Sequence, residues 1–121
     1  MTTTWKRGLL AAGIVCCAWS AAAQQRPSIV VDGDDWLKAS VTERKAFLVG
    51  AGNMILAENA YAKRNNTAPP PAGARIAAAA QNMTIADIEA RVTKWYEANP
   101  GMRSTPAMAV IWQDLVKQSK P

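Results

Sequence analysis

The pattern of apolar and polar positions separates an uncharged N-terminal run from later segments with helical periodicity. From residue 40 onward, apolar side chains recur every three or four positions, which is the spacing of one helix face. This pattern predicts a helix from Ser40, a second from Thr84 and a third from Pro106. We therefore predict an all-α fold, a small bundle of three to four helices with a short N-terminal extended arm and a proline-rich loop.

The first long helix begins with a capping box, in which Ser40 and Glu43 satisfy exposed backbone donors reciprocally. Gly50 and Gly52 lie inside this helix, where glycine costs up to about 1 kcal/mol relative to alanine. The close approach of a neighbouring helix is the expected reason for both. The apolar positions predict a buried face that consists of Phe47, Leu48, Ala51, Met54, Ile55, Tyr61 and Ala62.

Glu58 falls near the centre of this predicted face. A buried carboxylate needs a partner, so a structural ion pair or hydrogen bond, for example with Arg91 or Arg103, is one interpretation. A groove or contact surface that includes Glu58 is the other. The chain contains no histidine, and a single carboxylate without a second acid does not indicate catalysis. We predict a protein that is not an enzyme, with no catalytic residue, no cofactor and no metal site.

Residues 65–82 contain three consecutive prolines, which end the first helix and predict a long loop. The alanine-rich end of this segment, RIAAAA, is compatible with one added helical turn. Before the first helix, Ile29 to Val31 are expected to form a short strand, and Asp34 is expected to cap a helical turn that holds Trp36.

The second helix has a capping box of Thr84 and Asp87 and is expected to end at Asn99, because Pro100 follows. The third helix is expected to start with Thr105 as N-cap and Pro106 at its first position. The expected inward residues are Ile85, Ile88, Val92, Trp95, Tyr96, Met108, Ile111, Trp112 and Leu115. Structural roles are assigned to Trp36, Phe47, Gly50, Trp95, Pro100, Arg103, Pro106 and Trp112.

The N-terminal run predicts export. Lys6 and Arg7 precede the uncharged LLAAGIVCCAWS, which is too short to span a bilayer, and an A-x-A motif ends at Ala23. Residues 1–23 are therefore predicted to be a signal peptide and 24–121 a single all-α domain, periplasmic or secreted. A lipid anchor on Cys16 or Cys17 is the alternative.

Signal cleavage would remove both cysteines, so packing alone would stabilise the mature domain. Without Lys6 and Arg7 the net charge falls from +5 to +3. This charge is too small, and too scattered, to favour a nucleic-acid partner. No stable membrane insertion is expected after cleavage.

The segment MTIADIEARVTKWYEANPGMRSTPAMAVIWQDL resembles the C-terminal half of the Tai-type family. These periplasmic immunity proteins protect bacteria from amidase toxins of type VI secretion systems. The family cysteines are absent here. The resemblance implies a small all-α domain, often dimeric, that blocks a peptidoglycan amidase with a loop. The matching positions are Met83-Thr84, Trp95-Tyr96, Asn99-Pro100, Arg103, Pro106-Ala107 and Leu115, with Phe47 and Gly50 in the first helix.

On this resemblance, the proline-rich loop and the residues beside it are the predicted partner-binding surface. The individual residues predicted to bind the partner are Glu58, Tyr61, Arg64, Asn65 and Asn66. Two alternatives stay open. One is a periplasmic acid-stress chaperone of the HdeA kind, in which protonation of a buried Glu58 would act as the trigger. The other is a non-catalytic domain that binds components of the cell envelope.

Overall fold

The chain folds into five α-helices within residues 29–118, the part that the computed structural model describes. The predicted signal peptide, residues 1–23, lies outside this part. A 3-10 turn, Pro100–Met102, lies between the last two helices, and a π-helical turn, Trp112–Val116, follows the last helix directly. The all-α prediction is confirmed. The helices are α1 Gly33–Lys38, α2 Val41–Arg64, α3 Pro71–Ala80, α4 Ile85–Ala98 and α5 Ala107–Ile111.

Local hydrogen bonds begin the two long helices as predicted. The Ser40 hydroxyl accepts from the Glu43 N–H at 3.2 Å, and the Glu43 carboxylate accepts from the Ser40 N–H at 2.7 Å. Thr84 and Asp87 form the same pair of bonds at 3.1 and 2.8 Å. Both capping boxes are confirmed. Each depends only on residues three positions apart, so no tertiary contact is needed to form it.

The arm before α1 differs from the expected strand. Residues 29–31 pair with no strand, and residues 29–118 contain none. Instead, the Val31 carbonyl accepts from the Ala107 N–H at 2.8 Å, and the Gly33 N–H donates to the Arg103 carbonyl at 2.7 Å. The arm is therefore held by the α4 to α5 connection.

The cap of α1 is Asp32 and not Asp34, which corrects the prediction. The Asp32 carboxylate accepts from the N–H groups of Asp34 and Asp35 at 2.9 and 3.1 Å. Asp34 therefore lies inside the first turn, where its own N–H needs a cap.

The predicted long loop is largely helical, because α3 occupies Pro71–Ala80. Pro71 is the first residue of α3, where its missing N–H removes no intrahelical bond. The alanines that follow have the highest helix propensity of any residue. The prolines therefore start a new helix as well as ending α2, and of the predicted loop only residues 65–70 and the turn at 81–82 remain outside helices.

The hydrophobic core lies between α1, α4, α5 and the first half of α2. Trp36 is fully buried, and its indole N–H donates to the Thr93 hydroxyl at 2.9 Å. Phe47 is half-buried and meets the Trp36 ring edge to face at 6.0 Å. The buried core residues are Trp36, Leu48, Ile88, Val92, Tyr96, Ala107, Val110, Ile111 and Leu115.

The other two tryptophans of the described chain lie at the margin of this core. Trp95 is half-buried, and its ring contacts the Tyr96 ring edge to face at 5.4 Å. Trp112 is half-buried in the π-helical turn. Ala107 and Val110 take central positions that the apolar pattern did not predict.

Most of the predicted buried face of α2 is not buried. Only Leu48 and Ala62 are enclosed, whereas 59% of Met54 and 69% of Tyr61 is exposed. The core-facing line of α2 runs through Leu48, Ile55 and Ala62, and Met54 and Tyr61 lie too far around the helix to reach it. Apolar residues surround α2, so their pattern alone does not select the inward face.

The predicted close approach at Gly50 and Gly52 is wrong. A Cβ atom at either position would meet nothing within 4 Å beyond the helix itself. The glycine with close neighbours is instead Gly33. A Cβ atom there would lie 2.6 Å from the Tyr96 ring and 2.9 Å from the Arg103 carbonyl. Close packing therefore occurs where α1 meets α4.

The junction between α4 and α5 agrees with the prediction at its start and differs at its end. Asn99 caps α4, and Pro100 opens the exposed 3-10 turn. Pro106 is the N-cap of α5, one residue later than expected, and its carbonyl accepts from the Val110 N–H at 3.0 Å. The Thr105 carbonyl accepts from the Tyr96 hydroxyl at 2.7 Å, which ties this junction to the core.

Candidate functional site

The five predicted partner-binding residues lie together at the C-terminal end of α2. Tyr61 and Arg64 are exposed, and Glu58 is half-buried. Asn65 and Asn66 have roles in ending the helix. The Asn65 amide donates to the Tyr61 carbonyl at 2.8 Å, and Asn66 adopts a positive φ of 52°, which asparagine tolerates better than most residues.

Glu58 does not form the predicted ion pair. Arg91 donates through Nε to the Asp114 carboxylate at 2.7 Å, and Arg103 lies 3.5 Å from the Asp34 carboxylate. Both arginines are used elsewhere, and Glu58 lies instead where the second half of α2 packs over α3. A Cβ atom at Gly73 of α3 would lie 3.7 Å from a Glu58 oxygen. Glu58 takes part in no ion pair with another of the described residues.

A buried polar cluster that the sequence did not reveal joins α1, α2 and α4. Arg44 of α2 donates to the Glu89 carboxylate at 3.0 Å and to the Thr93 hydroxyl at 3.2 Å. Its guanidinium also donates to the carbonyls of Trp36 and Leu37. Glu89 is the buried charged residue of the described chain. The sequence offered one signal for the burial of Glu89, which is its position beside Ile88 on the inward face of α4.

This cluster is fully hydrogen-bonded, which indicates a structural role. Every buried side-chain nitrogen and oxygen atom in the described residues has a partner. No group of three His, Cys, Asp or Glu side chains within residues 29–118 is placed to hold a metal ion.

Three titratable groups outside this cluster have shifted pKa values. The Ser40 N–H and hydroxyl lower the pKa of Glu43, and the Thr84 hydroxyl and N–H lower that of Asp87. Burial, with a smaller effect of the nearby Asp32 charge, raises the pKa of Tyr96 to about 12. All three groups have identified roles in helix capping or in the core.

An apolar pocket opens beside α2, and we call it the lateral pocket. Its volume is about 240 Å³, larger than the roughly 150 Å³ of a cavity that accepts benzene. No charged side chain lines it, so its chemistry suits an apolar group. Leu56, 64% exposed, lies at its edge. The lining residues are Leu48, Ala51, Gly52, Ile55, Leu56, Ile76, Ala77, Ala80, Met83, Ile85, Ile88, Met108, Ile111 and Leu115.

The side of α2 that faces away from the core is uncharged along its middle, where Asn53 is polar and its neighbours are apolar, and we call it the outer strip. Its residues are all exposed: Glu43, Ala46, Gly50, Asn53, Met54, Ala57, Tyr61 and Arg64.

No charged residue occurs in α2 between Lys45 and Glu58. Shallow apolar depressions continue from the outer strip on both sides of Met54, one reaching Phe47 and Met108 and the other reaching Pro70. Together the outer strip and the depressions form a largely apolar surface, which Asn53 and Glu58 interrupt.

Comparison with known proteins gives no further identification of this chain. No protein-family model matches the sequence, and no similar curated protein or solved structure was found. Within residues 29–118, none of the helices has the length and apolar character needed to cross a bilayer.

Proposed function

We propose that this protein is a non-catalytic protein-binding domain that acts through the surfaces of α2. The observation that carries the proposal is the uncovered apolar surface of this helix. Eight large hydrophobic side chains are strongly exposed in the described residues, and five belong to α2: Val41, Val49, Met54, Leu56 and Tyr61. Exposed apolar side chains concentrated on one element are typical of interaction sites.

The specific form of the proposal is an immunity protein that blocks a periplasmic peptidoglycan amidase of a type VI secretion system. The resemblance of residues 83–115 to the Tai-type family supports it, as does the predicted signal peptide. The lateral pocket supports the binding step, because it can accept an apolar side chain from the toxin, with Leu56 at its edge. A homodimer, which the resemblance also implies, is part of the proposal.

The lateral pocket gives the test. Ala77→Trp places an indole at a half-buried lining position, whereas Ala78→Trp, the matched control, adds the same side chain at an exposed neighbour outside the pocket. The full chain and both variants would be expressed with the periplasmic amidase toxin encoded nearest to this gene. Cell survival and the dissociation constant of the purified complex are the measurements.

We expect the wild-type chain and Ala78→Trp to protect the cells. Ala77→Trp should weaken the complex at least tenfold, which corresponds to about 1.4 kcal/mol. Failure of the wild-type chain to rescue cells or to form a complex would overturn the immunity proposal. Rescue that is equal in all three proteins would keep immunity and move the contact away from the pocket.

The acid-chaperone alternative gains no comparable support. It required Glu58 to be buried, and this side chain is only half-buried in a shallow depression beside α3. Protection of a client protein near pH 2 to 3, roughly where carboxylates are protonated, would revive it.

A further inference from the structure

We propose that the outer strip of α2 binds the outer strip of a second copy, with the two helices antiparallel. The two-fold axis passes between Asn53 and Met54. This inference rests on the homodimer in the proposed function and assigns its interface and register. The strip faces away from Leu48, Ile55 and Ala62, so dimerisation leaves the core unchanged.

The strip is complementary to itself in size under this symmetry. A two-fold axis between Asn53 and Met54 places Tyr61 of one copy opposite Ala46 of the other, at both ends of the interface. It also places Gly50 opposite Ala57. The largest exposed side chain therefore meets a small one, as an isologous interface requires.

The ends of the strip are complementary in charge. The same axis brings Glu43 at the start of α2 opposite Arg64 at its end. The Ser40 hydrogen bonds both use Oε2 of Glu43, so the other carboxylate oxygen is available to the guanidinium. A parallel pair would instead place Arg64 against Arg64. Antiparallel helices also align their dipoles favourably. Charge therefore selects the antiparallel arrangement.

Gly50 is the residue that the isolated chain does not explain. Glycine in a helix interior costs up to about 1 kcal/mol relative to alanine, and no neighbour within the chain lies close enough to exclude a methyl group here. Gly50 faces outward at the centre of the uncharged stretch. A closely packed second helix gives this glycine a physical reason, because the absent Cβ lets the backbones approach.

The expected affinity is modest. An α-helix of 24 residues is about 36 Å long, and one helix pair of that length buries less than a typical stable interface of roughly 800 Å² per partner. We therefore expect a dimer that dissociates on dilution, with a dissociation constant on the order of micromolar.

Sedimentation of the full chain from about 1 to 200 µM tests the interface. Gly50→Arg adds a charge at the centre of the strip and should raise the dimer dissociation constant at least ~100-fold. Ala90→Arg, the matched control on the exposed side of α4, should leave it unchanged. Circular dichroism would verify that both variants keep their helices, which the open space around Gly50 favours.

The outcomes separate the two levels of the proposal. A wild-type chain that stays monomeric overturns both the homodimer and the interface. A dimer that survives Gly50→Arg keeps the homodimer and overturns the α2 interface. Loss of the dimer in both variants would also remove the assignment to α2.

Disulfide trapping tests the register, in a background with Cys16→Ser and Cys17→Ser. An equimolar mixture of Ala46→Cys and Tyr61→Cys chains should form the mixed disulfide in preference to either homodimeric one. Preferential linkage of two Ala46→Cys chains to each other would contradict the antiparallel arrangement, even if sedimentation shows a dimer.

Discussion

Two regions of the molecule differ in how completely their residues are enclosed. The body is formed by α1, α4, α5 and the inward side of α2. The second region consists of α3 and the outer strip of α2. The four largest fully buried side chains are Trp36, Tyr96, Val92 and Val110, and all belong to the body. By contrast, α3 contains no buried residue, and every residue of the outer strip is exposed.

The two regions also treat charge and glycine differently. In the body, Glu89 is enclosed by Arg44 and Thr93, and Gly33 is pressed against Tyr96. On the outer strip of α2, Gly50 faces open space. The comparison shows that the body contains the residues on which folding depends, whereas the outer strip is a surface that the isolated chain leaves uncovered. Substitutions should therefore cost stability in the body and association on the outer strip.

Glu89→Ala should have the largest effect on stability. It leaves the Arg44 guanidinium, 12% exposed, without its carboxylate, and an unpaired buried charge costs about 3 to 5 kcal/mol. Chemical denaturation would measure the loss. Asp114→Ala is the matched control, because its partner Arg91 is 40% exposed. This substitution should lower the free energy of unfolding by only about 1 kcal/mol. Equal losses would show that burial of the pair does not decide its contribution.

Gly33→Ala and Gly50→Ala should change stability in opposite directions. At Gly33 the new methyl group meets the Tyr96 ring at 2.6 Å, and such overpacking costs about 1 to 3 kcal/mol. At Gly50 it meets nothing, so higher helix propensity should stabilise the monomer by up to about 1 kcal/mol. Thermal unfolding, at a protein concentration below the dimer dissociation constant, measures both changes in stability. A neutral Gly33→Ala would contradict the tight contact between α1 and α4.

Alkaline pH should weaken the body through Tyr96. Its pKa is about 12 in the folded chain and about 10 when unfolded, so the unfolded chain releases this proton first. The contribution is complete below pH 10 and is lost as the pH rises to 12, by about 2 kcal/mol. Urea denaturation of Tyr96→Phe, compared with the wild-type chain across this range, isolates the effect. If the wild-type chain and Tyr96→Phe lose stability equally as the pH rises, Tyr96 is not the source of the loss.

Arg103→Ala should have the smallest effect. Its contact with Asp34 is 3.5 Å long, and both side chains are about half exposed, so the pair should contribute less than about 0.5 kcal/mol. The Arg103 carbonyl, which accepts from the Gly33 N–H, stays in the variant. A loss above about 1 kcal/mol, measured by chemical denaturation, would show that the arginine side chain itself holds α1 against α4.

The candidate site was only partly accessible from sequence. The periodicity correctly located α2, and the predicted residues Tyr61 and Arg64 are exposed at its end. The apolar pattern also assigned Met54 and Tyr61 to the buried face, which is wrong. Apolar residues occur all around α2, and no charged stripe marks a solvent side. The sequence indicated only one added turn within residues 75–80, and not the whole of α3, which packs over Ile55 and Glu58.

The sequence alone determined the features that depend on neighbours a few residues away. These are the capping boxes at Ser40 and Thr84, the end of α4 before Pro100 and the all-α class. Only the tertiary structure decided the pairing of Arg44 with Glu89, 45 residues apart in the chain, and the exposure of the outer strip. Short-range hydrogen bonds form wherever the local residues allow them. Long-range pairs depend on which of several apolar faces the whole chain can bury.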